Sequence, residues 1–259
     1  MDTWDQGDSY ERYMGRWSRL IARTFIDWLA LPAGYDWLDV GCGTGALASA
    51  IAESAGPHRI SGIDPSRAFI EAARRNLGED PDLRVGDARD LPFVESEFDA
   101  AVSGLALNFV ADPAAAVGEM GRVTRGGGAV AAFVWDYGEG MEMIRRFWDA
   151  ALPLDPMVAH LDEASRFPLC REEALFHLFA ESGLQQVRAT GLVISTTFAG
   201  FDDYWRPFLG GQGPAPSYVA SLDERHRVRL ETRLRKGLPI EGDGNIHLTA
   251  KAWAVAGIV

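Results

Sequence analysis

The stretch Leu38-Asp39-Val40-Gly41-Cys42-Gly43-Thr44-Gly45 is where the chain concentrates residues able to hold a small ligand. An apolar run enters a turn with glycine at every second position, and the helix-forming residues Ala46 to Ser54 follow. Glycines let backbone N–H groups approach a ligand closely, and a helix N-terminus favours a negative group such as phosphate or carboxylate. Asp64 stands 21 residues beyond Gly43, after the short apolar run Arg59 to Ile63. An acid at that place can accept hydrogen bonds from both hydroxyls of a ribose. Turn and acid together specify a nucleoside-containing ligand. Gly41, Gly43 and Ala46 also satisfy the dinucleotide-binding pattern, so a nicotinamide-dependent oxidoreductase stays open on these residues alone.

These residues need elements to position them, and between residues 17 and 137 the hydrophobic spacing switches repeatedly between helical and extended periods. That is the pattern of parallel strands joined by crossover helices. Trp17, Leu20, Ile21, Thr24, Phe25, Trp28 and Leu29 recur at helical spacing until Leu31-Pro32-Ala33-Gly34. Strands are expected at Asp36 to Val40, Arg59 to Ile63, Leu83 to Val85, Phe98 to Ser103 and Ala129 to Trp135. Ser66 and Asp112-Pro113 are helix N-cap signals, and Gly126-Gly127-Gly128 is expected to end the helix before the fifth strand. Beyond residue 138 two extended stretches, Val187 to Phe198 and Ile246 to Ala256, can complete the sheet. The pieces at 139–166 and 200–240 then read as helical insertions forming a substrate cap. The expected organisation is an N-terminal helical segment at 1–34, a core at 35–137, and the remaining sheet with its insertions at 138–259.

Three features separate the nucleosides. Asp39 lies two residues before the first glycine, Gly86-Asp87-Ala88 follows the third strand, and Leu91-Pro92-Phe93 with Phe98-Asp99-Ala100 leads into the fourth. In this combination the chain resembles the class I S-adenosylmethionine-dependent methyltransferases, especially the branch similar to ubiquinone and menaquinone biosynthesis methyltransferases. Glu119-Met120-Gly121-Arg122-Val123-Thr124-Arg125-Gly126-Gly127 looks like that branch's helix and turn before strand five. The resemblance covers residues 35 to 137. It implies an α/β fold with a doubly wound seven-stranded sheet, six strands parallel and the last antiparallel. It implies S-adenosylmethionine as cofactor and S-adenosylhomocysteine as product.

Carried onto matching positions, the resemblance places backbone around Gly41, Cys42 and Gly43 against the methionine moiety, with Asp39 close to its amino group. Asp64, with Pro65 beside it, would hold the ribose, Asp87 the adenine amino group and Ala88 the ring edge. Ser103 would lie beside the sulfonium. Similar enzymes fold an N-terminal segment over the cofactor; here Tyr10, Tyr13, Met14, Arg16 and Trp17 stand in that place, and Arg16 could pair with the cofactor's carboxylate. The cofactor carries no pyrophosphate, so acids near its ammonium and sulfonium are favourable. A noncatalytic cofactor-binding protein would keep every one of these motifs. No residue type or spacing singles out a catalytic base.

The acceptor is expected to be a small molecule. Ser103-Gly104-Leu105-Ala106-Leu107-Asn108-Phe109 lacks the Asn/Asp-Pro-Pro-aromatic signature of enzymes that methylate amide or base nitrogens. With 37 acidic against 25 basic side chains the net charge is −12, which opposes the phosphate attraction that dominates nucleic-acid binding. Phe147, Trp148, Phe201, Tyr204, Trp205 and Phe208 of the insertions, with Trp135-Asp136-Tyr137 at the sheet edge, are expected to bound the acceptor. The helix expected from Asp223 to Lys236 carries six basic residues against three acids, a solvated face with room for an anionic group. The five histidines show no metal-ligand spacing, and two cysteines offer no disulfide framework. The acidic N-terminus is unlike a signal peptide, and the longest apolar run, Ala129 to Trp135, is far short of the roughly 20 residues of a membrane span. A cytoplasmic protein is expected.

Overall fold

The computed structural model describes residues 14–78, 80–210 and 213–259. Its centre is one seven-stranded sheet in the order β3-β2-β1-β4-β5-β7-β6. The strands are β1 (Asp36–Val40), β2 (Arg59–Asp64), β3 (Asp82–Val85), β4 (Phe98–Gly104), β5 (Thr124–Trp135), β6 (Gln185–Phe198) and β7 (Ile246–Ile258). Strands β1 to β5 pair in parallel, and β7 runs antiparallel to both β5 and β6. Six strands therefore share one direction and β7 alone opposes them.

Helices cover the sheet because their apolar residues fall on one side. In α1 (Arg16–Leu29), Trp17, Ile21, Phe25 and Leu29 recur every fourth residue and are buried, with the Phe25 and Phe133 ring centroids 4.6 Å apart. The crossover helices are α2 (Ala46–Ser54), α3 (Arg67–Leu77) and α4 (Pro113–Val123). Ser66 caps α3 by accepting from the Phe69 N–H at 3.3 Å. Asp112 caps α4 by accepting from Ala115 at 3.0 Å, with proline in the first turn. Side-chain acceptors at these positions satisfy N–H groups that have no partner inside the helix.

One local expectation is corrected. Gly126, Gly127 and Gly128 do not precede β5; they lie within it, where the register against β4 jumps from Phe98↔Thr124 to Ala100↔Ala129. The extra residues form a bulge. Gly127 takes φ +82°, and a Cβ on Gly128 would stand 2.6 Å from the Asp99 carbonyl oxygen, so the glycines permit the bulge instead of breaking the strand.

The insertions fold as helices. After β5 come α5 (Glu142–Ala151), a 3-10 segment Pro156–Leu161, α6 (Glu163–Arg166) and α7 (Glu172–Glu181). Between β6 and β7 come α8 (Phe201–Trp205), a 3-10 turn Arg206–Gly210, α9 (Pro214–Ser221) and α10 (Glu224–Gly237). Phe147 stacks on Phe208 with centroids 4.6 Å apart, Trp148 lies against Tyr218, and the Tyr204 hydroxyl donates to the Met143 carbonyl at 2.9 Å. A single buried apolar cluster runs from α1 through the sheet into these helices.

Candidate cofactor site

Strand order creates the site. The chain steps outward from β1 to β2 and β3, then returns to place β4 on the other flank of β1. A crevice opens beyond the carboxyl ends of β1 and β4, where the crossovers diverge to opposite faces. A cavity of about 520 Å³ occupies it, bounded by the turn after β1, the ends of β2 and β3, the segment after β4, and α1.

The turn after β1 is shaped by contacts only glycine tolerates. Gly41 has φ +75°, and a Cβ there would stand 2.4 Å from the Ala106 Cβ; Gly45 has φ +91° and faces Leu77. The Gly41 and Cys42 N–H groups donate to the Ile63 carbonyl at 2.8 and 3.0 Å, which lashes the turn to β2. Asp64 completes the lashing. One carboxylate oxygen accepts from the Gly43 N–H at 3.0 Å and the other from the Ser66 N–H at 2.8 Å. Burial raises the Asp64 pKa, and those two N–H groups partly offset the rise.

Asp39 is almost wholly buried and accepts from the Ala48 N–H in the first turn of α2 at 3.1 Å. Burial pushes its carboxyl up to about 7; the Ala48 N–H pulls against this, and the negative charge of Asp64 adds to it. Both acids border the same cavity. A cation placed between them would recover the electrostatic energy that burial costs. Asp87, at the far end, is exposed and differs: the Arg89 side chain grips both its oxygens at 2.6 to 3.2 Å, and hydrogen bonds from the Arg89 side chain and N–H hold its pKa at about 2.

Of the residues singled out in the sequence, Asp39, Gly41, Cys42, Gly43, Asp64, Pro65, Asp87, Ala88 and Ser103 are brought together around this one cavity. Cys42 is buried against Ile70, Ala73 and Leu83, and burial, with Asp39 and Asp64 nearby, pushes its thiol well above the ordinary range, as befits a packing residue. Ser103 is buried with no hydrogen-bond partner for its hydroxyl. Arg16 is not in the group. Its guanidinium pairs with Asp203 at 3.1 Å and lies over the Trp17 and Phe198 rings, so the expected contact with a cofactor carboxylate is replaced by an anchor between α1 and α8. Tyr10 and Tyr13 lie outside the described residues.

The aromatic cap is also corrected. Phe147, Trp148, Phe201, Tyr204, Trp205 and Phe208 are all buried, pack on one another and do not line the cavity. Residues not anticipated take their place: Ser18 and Ala22 of α1, Phe109 and Val110 after β4, and Phe133 of β5. Ser18 and Ala22 are four apart on the buried face of α1, a spacing legible in the sequence, although the space they face is not.

The charged side chains lining the cavity, among the described residues, are Asp39, Asp64, Asp87 and Arg89. That set suits a ligand carrying positive charge and two ribose hydroxyls. A pyrophosphate would meet two buried carboxylates and a single arginine already held by Asp87, so the donor set disfavours a nicotinamide dinucleotide. Among the described residues no group of three His, Cys, Asp or Glu side chains is placed to hold a metal ion, and no helix is long and apolar enough to cross a membrane.

Comparison with known proteins agrees with this geometry. Residues 38–132 match the family model described as "Methyltransferase domain". A demethylmenaquinone methyltransferase of Desulfitobacterium hafniense is 29% identical over 177 residues, 61% of this chain and 69% of that protein. The matches take in 33% to 69% of the lengths of the first curated relatives. Among solved structures, a Haemonchus contortus phosphoethanolamine N-methyltransferase 2 in complex with S-adenosyl-L-methionine is similar at TM-score 0.57 and 16% identity, over 97% of this chain and 56% of that one. The [4+2]-cyclase SpnF is similar at TM-score 0.51 and 18% identity, over 94% of this chain and 80% of that one. At such identities the likeness is one of fold, and this fold serves more than one reaction.

Proposed function

We propose that this chain, whose residues 38–132 match a methyltransferase domain, is a class I S-adenosylmethionine-dependent methyltransferase that transfers a methyl group from that cofactor to a small, partly apolar acceptor. The observation that carries the reading is the pair of buried carboxylates, Asp39 and Asp64, facing one cavity across a glycine turn. When bound, the cofactor supplies an electrophilic methyl carbon on a positively charged sulfur. The backbone at Gly41 to Gly43 cradles the amino-acid end, where Asp39 faces the ammonium group. Asp64 takes the ribose hydroxyls on lone pairs not used by Gly43 and Ser66. Asp87 and Ala88 border the adenine, with Arg89 released from or sharing Asp87.

The remaining lining belongs to the acceptor. Ala22, Val110 and Phe133 make that end apolar, while Ser103, whose hydroxyl has no partner, supplies its polarity; the Ser18 hydroxyl donates to the Met14 carbonyl. Alignment of acceptor and methyl carbon within this enclosure does most of the work, since such a displacement gains chiefly from proximity. The acceptor thus enters between α1 and the segment after β4, not under the helical insertions.

The test combines calorimetry with label transfer. Wild-type chain is expected to bind S-adenosylmethionine and S-adenosylhomocysteine but not NAD. With labelled cofactor, methyl label should pass to a small-metabolite pool. Label confined to protein or RNA pools would reject the acceptor class, and no heat with either cofactor would reject the reading outright. Binding without transfer to any pool would mark a noncatalytic binder.

A further inference from the structure

We propose that the solvent face of α10 docks onto an anionic lipid bilayer. The helix rests on the body of the protein through Leu230 and Leu234, both buried. At 100° per residue, the positions opposite them are Arg225, Val228, Arg229, Thr232 and Lys236, with Arg233 beside them; all six are exposed. Six of the chain's 25 basic residues fall between Arg225 and Lys236. Two of those have partners. Arg235 pairs with Asp202 and Glu231 and lies 3.7 Å over the Phe201 ring, and half-buried Arg227 donates to the Leu222 carbonyl. Arg225, Arg229, Arg233 and Lys236 form no ion pair with any described residue, although the chain carries 37 acidic side chains. The helix's own acids, Glu224 and Glu231, sit on the flank opposite Arg233, about 80° and 100° from the centre of the exposed row.

Four cations without an ion-pair partner along the solvent side of α10, on a molecule of net charge −12, create a charge asymmetry. Near a negative surface the rest of the molecule is repelled and this face is attracted, which orients as well as binds. The occupant is a bilayer rather than nucleic acid because of what lies among the cations. Val228 is 54% exposed in the same row and offers methyl groups to the headgroup boundary. Thr232 donates its hydroxyl to the Val228 carbonyl, and the row holds no aromatic ring, so what it offers besides charge is the apolar surface of Val228, which a bilayer can use and a phosphate backbone cannot. The surface is independent of the chemistry in the cavity.

The experiment is flotation of the full chain with vesicles of phosphatidylcholine containing about a third phosphatidylglycerol, against pure phosphatidylcholine, at low and high salt. The chain should float with the anionic vesicles alone and be released by salt. Each of Arg225→Ala, Arg229→Ala, Arg233→Ala and Lys236→Ala should weaken binding about fivefold, the value of one cation near such a surface. Val228→Ser should weaken it without changing the salt dependence. Reversal of all four cations to Glu, in a variant with an unchanged circular-dichroism melt, should abolish it. Failure of the wild type to float, or undiminished flotation of the reversed variant, overturns the proposal. So does release of the chain from vesicles by excess random-sequence RNA at matched ionic strength, which would make nucleic acid the occupant.

Discussion

Asp39 and Glu163 are both buried carboxyl groups pushed up to about 7, yet they sit in regions organised on opposite terms. Glu163 lies among the insertion helices. Burial raises its pKa, and the hydrogen bond donated by the Trp148 indole N–H opposes the rise, while the neighbouring Arg145 is taken by Asp162. Its carboxylate is held by a side-chain donor and does not border the cavity. Asp39 has one backbone N–H and an open cavity. The difference teaches that a raised carboxylate pKa does not by itself mark a ligand site. What distinguishes Asp39 is the space in front of it, shared with a second acid, that a cation can enter.

The comparison is broken most severely through Trp148. Trp148→Ala removes a fully buried ring and the donor to Glu163, and should cost about 3–5 kcal/mol of stability in a denaturant titration. Cofactor affinity of the molecules that remain folded, measured by calorimetry, should not change. A second variant, Asp64→Ala, should do the reverse. It should weaken S-adenosylmethionine binding by roughly 1.5–3 kcal/mol while the circular-dichroism melt moves little, because the freed Gly43 and Ser66 N–H groups face a cavity that water reaches. Asp39→Asn sharpens the contrast. It should lower affinity about tenfold, the scale of one charge-assisted contact, and raise the melting temperature of the ligand-free protein, since a buried charge is removed.

Both acids make stability depend on pH in the same direction. The folded state keeps their protons up to about 7, whereas the unfolded chain releases them near the ordinary carboxylate values. Their contribution is therefore fully present in acid and is lost as pH rises through about 7. The ligand-free melting temperature should fall over that interval. Saturating S-adenosylmethionine should remove the Asp39 share of the fall, and Glu163→Gln should remove the other. Binding should in turn strengthen as pH rises through 7, because a cation favours the ionised Asp39. The smallest effect belongs to Arg16→Ala, which should leave cofactor affinity within twofold in the same calorimetry. A tenfold loss would restore Arg16 to the cofactor.

Much of the half that holds the cavity was legible because its determinants are local. β1 begins and ends at the expected residues, Ser66 and Asp112 cap the helices they precede, and nine of the ten anticipated site residues meet at one cavity. Each of those signals lies within a strand, a turn or the step between adjacent crossovers. What was not legible depends on distant partners. Arg16 finds Asp203, 187 residues away, and no local spacing announces that meeting. The aromatic residues of the insertions look the same in sequence whether they enclose a ligand or one another. The three glycines before Ala129 carry the composition of a turn, and only the register between β4 and β5 makes them a bulge.

The position of β7 sets an order of assembly. It is the last strand in the chain, yet it lies between β5 and β6, so β6 has no neighbour in the sheet until residues 246–258 arrive. Strands β1 to β5 can pair with one another as soon as residues 36–135 have been made. The cavity can thus take shape before residues 246–258 are made, while the flank of β5 that β7 covers waits for a partner more than a hundred residues downstream. Until then that flank carries a row of unpaired backbone N–H and C=O groups, an edge open to mispairing with another strand.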